Sequence, residues 1–171
     1  MSPTPTGEVR HTTGGGRDLV LTRELPGSIE DTWASVTESE RTARWYAGWT
    51  GDGRVGGTVE LTLVAEEGSP TAPATIEACE PPTRLALRTE DAYVSWSLEV
   101  RLEPLGPHRT RLTFLHHLAE GDQVQELGPG WEYYLDRLQA SVTGRPMPDF
   151  DDYWPSMGPA YADLGRSHAD G

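Results

Sequence analysis

The sequence contains no lysine. Its 14 basic residues are all arginine, set against 27 acidic ones in a chain of 171, and the formal charge is -13. Binding to nucleic acid or to an anionic membrane surface needs clustered cations, so this balance argues against both. Cysteine is nearly absent: the single Cys79 excludes an internal disulfide and an intrachain cysteine cluster for metal. No apolar run approaches the ~18 residues of a membrane span. The stretch Met1 to Gly16 lacks the apolar core of a secretory signal. These absences lead to the expectation of a soluble, cytoplasmic protein with no membrane insertion. Phenylalanine is also scarce, with 2 against 6 Trp and 6 Tyr, and hydrophobic content is only 36 %. The apolar material is therefore concentrated in large rings that also carry a polar atom. The length suits one domain of about 150 residues plus tails.

Residues 1–17 are rich in Pro, Thr and Gly and read as a flexible tail. Gly14-Gly15-Gly16 lacks both the preceding strand and the following Gly-Lys-Ser/Thr of a phosphate loop. Alternation then predicts a strand over 18–25, with Leu19, Leu21 and Leu25 on one face. Ser28 is a suitable N-cap for a short helix carrying Ile29, Trp33 and Val36 on one side. A second short helix follows over 39–45, and then a glycine-rich stretch over 47–57. Five more strands are predicted over 58–65, 73–79, 84–89, 93–102 and 109–117. The fourth of these alternates most cleanly, with Val94, Trp96, Leu98, Val100 and Leu102 on one face. Short polar turns, among them Pro81-Pro82 and Glu90-Asp91, imply an antiparallel meander with one packed face. A long amphipathic helix is predicted over 128–142, with Trp131, Tyr134, Leu135, Leu138 and Val142 on one side and Gly144 as C-cap. The last stretch, 144–171, is acidic and proline-rich yet contains Phe150, Tyr153, Trp154 and Tyr161. The segment 150–164 is therefore expected to dock on the domain or on a partner subunit, making a homodimer through this extension a candidate arrangement. One face of a curved sheet must be covered, and only the last helix is long and apolar enough to do so. Sheets curved around a single helix tend to leave a cavity between them.

Several segments occur together in a recognisable order: Trp33, Arg44-Trp45-Tyr46, Gly56-Gly57, the run from Pro81 to Leu85, the run from Thr110 to Phe114, and Gly130-Trp131 with Leu135 and Leu138. In these the chain resembles the START-like (Bet v 1-like, SRPBCC) superfamily. Within it the chain is most similar to the branch named after the C-terminal domain of the activator of Hsp90 ATPase, over about Asp18 to Thr143. The resemblance implies an α+β helix-grip fold. A curved six-stranded antiparallel sheet would wrap a long C-terminal helix, with two short helices after the first strand. The corresponding domain is 18–143. The resemblance also implies an internal cavity that binds a hydrophobic small molecule. It does not imply one activity, because carriers, cyclases and co-chaperones share the fold.

The expected ligand pocket draws Trp49, Ile76, Leu87, Trp96, Leu98, Phe114 and His116 from the sheet side, and Trp131, Tyr134 and Leu138 from the helix. Trp45, Tyr46 and Trp49 flank the glycine-rich stretch, as a lid or as a plug at one end of the sheet. His116 and His117 are neighbours on one strand and must point to opposite faces, His116 inward and His117 toward solvent. His11, His108 and His168 fall in tails or turns, which argues against a histidine metal site. Cys79 lies among Glu77 and Glu80, where negative charge disfavours a thiolate, and is read as structural. The cluster Asp149, Asp151 and Asp152 lacks the glycine and glutamate of a calcium loop. No catalytic residue, metal or cofactor is therefore assigned. The expectation is a binding protein for a lipid, polyketide-like or other aromatic molecule. The alternatives are a stress or co-chaperone-like interaction protein and a cyclase or aromatase-type enzyme.

Overall fold

A computed structural model describes residues 4–90 and 95–167. Eight antiparallel strands form one sheet: β1 (Glu8–His11), β2 (Arg17–Pro26), β3 (Ala47–Gly51), β4 (Thr58–Leu63), β5 (Thr71–Glu80), β6 (Arg84–Glu90), β7 (Ser95–Gly106) and β8 (Arg109–Leu118). Their spatial order is β1-β2-β8-β7-β6-β5-β4-β3. The six strands expected from alternation are the six inner ones. The two extra strands are the short edges. β1 pairs Val9 with Leu19 and Arg10 with Asp18, so residues 8–11 belong to the sheet and not to a flexible tail. Tyr93, Val94 and the turn residue Asp91 lie outside the described residues, as do His168 and positions 1–3.

Helix α1 (Ile29–Thr37) begins where Ser28 Oγ accepts from the Asp31 amide at 3.1 Å, the cap its sequence predicts. The second helix, α2 (Ser39–Thr42), is shorter than expected. The long helix α3 spans Val124–Thr143 and closes on Gly144 with φ 73°, the left-handed C-cap that glycine adopts without strain. It begins a turn before the expected start, passing through Gly128-Pro129-Gly130. Proline there falls early in the helix and removes one backbone bond, while Gly128 serves close packing: a Cβ at that position would sit 2.5 Å from the Tyr161 ring. The core lies between α3 and the concave sheet. Leu19, Leu21, Leu98, Leu112 and Phe114 from the strands meet Trp131, Leu135 and Leu138 from the helix.

The C-terminal extension folds back on its own chain. Tyr153 and Met157 are buried, and helix α4 (Gly158–Ser167) packs Tyr161 against α3. The polar side of this contact centres on Glu132, whose side chain is 1 % exposed. It accepts from the Tyr161 hydroxyl at 2.5 Å, the Thr6 amide at 2.6 Å, the Gly7 amide at 3.0 Å and the Arg23 guanidinium at 2.7 Å. Arg23 also reaches Asp136 at 3.1 Å, and Asp136 accepts from the Tyr153 hydroxyl at 2.6 Å. One buried acid thus ties the N-terminal arm, β2, α3 and α4 together, with its lone pairs satisfied as a buried carboxylate requires.

Candidate functional site

Two spaces open between the sheet and α3. The inner one is a cavity of about 150 Å³ beneath α1 and the β3–β6 half of the sheet. Its wall includes Trp49, Leu61, Ile76, Leu87, Leu98 and Leu135. The outer one is a cleft of about 450 Å³ between α3 and the β4–β5 turn. It is lined by Trp96, Leu127, Tyr133, Tyr134, Phe150 and Glu66, among others. Tyr46 and Trp131 line both spaces and form the partition between them. An apolar cavity of about 150 Å³ accommodates one benzene-sized ring, and a cleft above about 300 Å³ lies in the range of small-molecule sites.

The shape of the inner cavity depends on a bulge. In β5 the register shifts between Ile76 and Ala78, so that Ile76 pairs with Leu87 while Cys79 pairs with Leu85. The extra residue moves the inward position from Ala78 to Cys79, and Cys79 becomes part of the cavity wall. Two tryptophans close the far end and both are held in place. The Trp45 indole N–H donates to the Ser35 carbonyl at 2.9 Å, and that of Trp49 to the Thr37 carbonyl at 2.8 Å. Both indoles are therefore tied to the end of α1 as a plug, and neither hangs over the mouth as a loose lid. The string Gly51 to Gly56 reads Gly-x-Gly-x-x-Gly, but it lies in the hairpin between β3 and β4 and opens no helix. It therefore lacks the setting of a dinucleotide loop.

Trp131 is the centre of the ring cluster. Its centroid lies 4.5 Å from Phe114, 5.9 Å from Trp96, and 6.0 Å from each of Tyr46 and Tyr134. Its indole N–H donates to His116 Nδ1 at 3.1 Å. This bond places the imidazole proton on Nε2, and burial pushes the His116 pKa down to about 4, against the pull of Asp122. Nε2 has no hydrogen-bond partner among the described residues; Asp122 Oδ2 is 3.9 Å away. On the opposite side of β8, His117 sits between Asp18 (2.7 Å) and Glu99 (3.0 Å) on the outer face of the sheet.

Six of the ten expected pocket residues line the inner cavity: Trp49, Ile76, Leu87, Leu98, Phe114 and Trp131. Trp96 and Tyr134 line the outer cleft. His116 and Leu138 line neither. Both are fully buried in the core, with His116 spent on holding Trp131. Tyr46, Cys79 and Tyr133 were missing from that set. For Cys79 the bulge hides the inward position from simple alternation. Tyr133 follows Trp131 by two positions on a helix, a spacing that does not place both on one face.

In the outer cleft the Tyr134 hydroxyl donates to Glu66 Oε1 at 3.0 Å. Burial and the Glu66 charge push the phenols of Tyr134 and Tyr46 upward, so both stay protonated. The Tyr46 hydroxyl has no hydrogen-bond partner among the described residues.

An antiparallel sheet gripping a long helix over a partly empty apolar interior defines the START-like (SRPBCC) class of α+β proteins. Within that class the chain belongs to the family of activator of Hsp90 ATPase homolog 1-like proteins, whose model matches residues 26–143. Among solved structures it is similar to CalU16 from Micromonospora echinospora, with a TM-score of 0.74 and 27 % identity over 94 % of this chain and 96 % of that one. A protein from Bordetella parapertussis superposes with a TM-score of 0.68 at 24 % identity, covering 97 % of this chain and 94 % of that one. DynU16, described as a protein in the dynemicin biosynthetic locus, shares the fold at 20 % identity with a TM-score of 0.65, over 78 % of this chain and 50 % of that one. No curated protein matches the sequence. No helix among the described residues is long and apolar enough to cross a membrane.

Proposed function

We propose that this protein binds a hydrophobic, ring-bearing small molecule in its interior. The observation that carries this reading is the pair of aromatic-walled spaces that meet at Tyr46 and Trp131. One ring of the ligand enters the inner cavity, and the rest lies in the outer cleft against Trp96 and Tyr134. Tyr46 is the less tethered half of the partition: its ring packs on Trp45, Trp131 and Tyr134, but its hydroxyl has no hydrogen-bond partner among the described residues, whereas the Trp131 indole N–H is held by His116. The family's general character as small-molecule binders and the likeness to a protein of a biosynthetic locus support the same reading. A cytoplasmic location belongs to it and is tested by cell fractionation.

The test uses N-phenyl-1-naphthylamine, a neutral dye that fluoresces in apolar surroundings. Saturable binding at one dye per chain is expected, and Leu61→Trp, which fills the inner cavity, should weaken it at least tenfold. Absence of saturable binding to a folded protein would overturn the reading. A homodimer through the extension is a separate matter. Tyr153, Met157 and Tyr161 are buried within their own chain, so such a dimer would rest on Phe150 and Trp154, 42 % and 40 % exposed. Sedimentation of the Trp154→Glu variant beside the parent protein tests it.

A further inference from the structure

We infer that the outer cleft selects a cationic aromatic ligand, an arylalkyl amine or an aromatic molecule bearing an amino substituent. This inference rests on the binding reading above and names the chemistry of the ligand. The cleft combines three features that neutral ligands do not need together. Its walls are ring faces and edges: Tyr46, Trp96, Trp131, Tyr133 and Tyr134. Its rim carries three carboxylates, Glu66, Glu67 and Glu126, and no basic side chain among the described residues lines it. None of these three forms an ion pair with a described residue, whereas Glu24, Glu99 and Glu103 on the sheet are each taken by arginine. Exposed carboxylates alone are ordinary in a chain with a charge of -13. Here they surround a cavity of about 450 Å³ whose walls are π-systems.

The third feature is a phenol on the shared wall whose hydroxyl no described residue hydrogen-bonds. The Tyr46 hydroxyl is partly buried on the wall shared by both spaces and has no hydrogen-bond partner among the described residues. Glu66 is held over the same region by the Tyr134 hydroxyl through Oε1, and Oε2 has no hydrogen-bond partner among the described residues. An ammonium group offers three donors. It can satisfy the free Glu66 oxygen and the Tyr46 oxygen together while resting against aromatic faces, which attract cations. A ligand carboxylate would meet Glu66, Glu67 and Glu126 as like charges, and a neutral alcohol can hydrogen-bond to Glu66 and Tyr46 but brings no charge to balance the three carboxylates. These rings already take a cation: the Arg137 guanidinium lies 5.6 Å from the Tyr133 centroid. Its polar partners are the backbone carbonyls of Trp45 and Arg44 and the Tyr133 hydroxyl, not a carboxylate.

The experiment compares three probes of equal ring size by calorimetry at low salt: 2-naphthylmethylamine, 2-naphthylmethanol and 2-naphthoate. The amine is expected to bind about tenfold more tightly than the alcohol, and the naphthoate more weakly than both. Raising salt from about 0.02 to 0.5 M should erode the amine's advantage and leave the alcohol's affinity in place. In Glu66→Gln/Glu126→Gln the amine-to-alcohol ratio should fall to about twofold, and Tyr46→Phe should weaken the amine severalfold. Equal binding of amine and alcohol would overturn this inference while leaving the binding reading intact. A ratio unchanged in the Glu66→Gln/Glu126→Gln variant would do the same. If none of the three probes binds the folded protein, the binding reading itself falls and takes this one with it.

Discussion

Glu132→Gln should destabilise the protein by about 2–3 kcal/mol. The perturbation is nearly isosteric, so packing around α3 is preserved and the loss reports the carboxylate itself. Breaking a buried ion pair costs about 3–5 kcal/mol when the partner is left uncompensated. Two features bring the cost toward the lower end. Asp136 stays 3.1 Å from Arg23 and keeps part of its charge balanced. The amide oxygen of glutamine still accepts from some of the donors on Glu132. Whichever way the amide turns, its nitrogen meets donors: the Arg23 guanidinium when the oxygen takes the Oε1 position, or the Tyr161 hydroxyl and the Thr6 and Gly7 amides when it does not. In the second orientation, reversal of the Tyr161 hydroxyl is resisted because Gly7 N donates to that oxygen at 3.1 Å. At about 2–4 °C per kcal/mol for a chain of this size, the melting temperature should drop by about 4–12 °C. Urea titration should show a lower midpoint with unchanged slope. Tyr161→Phe alone should cost about 1–2 kcal/mol, and the double variant should lose less than the sum, because both changes act on one hydrogen bond. A Glu132→Gln loss below about 0.5 kcal/mol, or strict additivity with Tyr161→Phe, would refute the claim that this network ties the two termini to the helix.

Three further outcomes follow from the geometry. Gly128→Ala places a Cβ 2.5 Å from the Tyr161 ring and must push α4 away; limited proteolysis should release the segment after Gly144 faster than in the parent, and unchanged cleavage would count against the docking. The buried His116, with its pKa near 4, stays neutral in the folded state while the unfolded chain takes up a proton below about pH 6.5. Its contribution is therefore lost as pH falls from about 6.5 toward 4, at about 1.4 kcal/mol per pH unit, and His116→Gln should flatten the melting curve in that window. His117 behaves in the opposite sense. Burial pulls its pKa down, but the hydrogen bonds to Asp18 and Glu99 outweigh burial and leave it raised. Its stabilisation is complete below about pH 6.5 and disappears as pH rises through the folded-state value; at a half-exposed site it amounts to about 0.5–1 kcal/mol. Melting temperatures at pH 6 and pH 9 should differ less in His117→Gln than in the parent, and equal differences would refute the assignment.

The fold was legible where one residue's environment follows from its neighbours in sequence. Leu112, Phe114 and His116 alternate inward along β8 as expected, and Leu135 and Leu138 face the core from α3. The two edge strands were not legible for the same reason. Val9 is the only buried residue of β1, so a strand held by backbone pairing carries almost no hydrophobic signature. Gly128-Pro129-Gly130 resembles a helix stop locally, and only the arrival of Tyr161 from a distant segment explains a glycine there. Of the ten expected pocket residues, eight line one of the two spaces. Ile76 and Leu87 were reached by counting in twos, but the β5 bulge resets the count before Cys79. The network on Glu132 was invisible because its partners, Thr6, Arg23 and Tyr161, are spread over the whole chain.

The absence of lysine and the abundance of large rings connect at the cleft. Arginine binds carboxylates through a rigid, bidentate-capable fork, where lysine offers a mobile point charge. On the outer sheet face Glu99 accepts from both Arg84 and Arg101, and Arg111 reaches both Glu24 and Glu103. Arg137 is fixed by the backbone of Trp45 and Arg44 and by the Tyr133 ring. Cations held in this way do not swing into a neighbouring space, as a flexible lysine stem can. The cleft carboxylates, which form no ion pair with a described residue, therefore keep their field, and only the Tyr133 ring among the cleft aromatics is met by a described arginine. In a protein with lysines near this rim, a lysine ammonium would compete for the place assigned here to the ligand. Ala65→Lys, a substitution on the cleft wall, puts that competition to the test. It should lower the affinity for 2-naphthylmethylamine severalfold while sparing 2-naphthylmethanol, and an equal loss for both would show that the side chain blocks space and does not compete for charge.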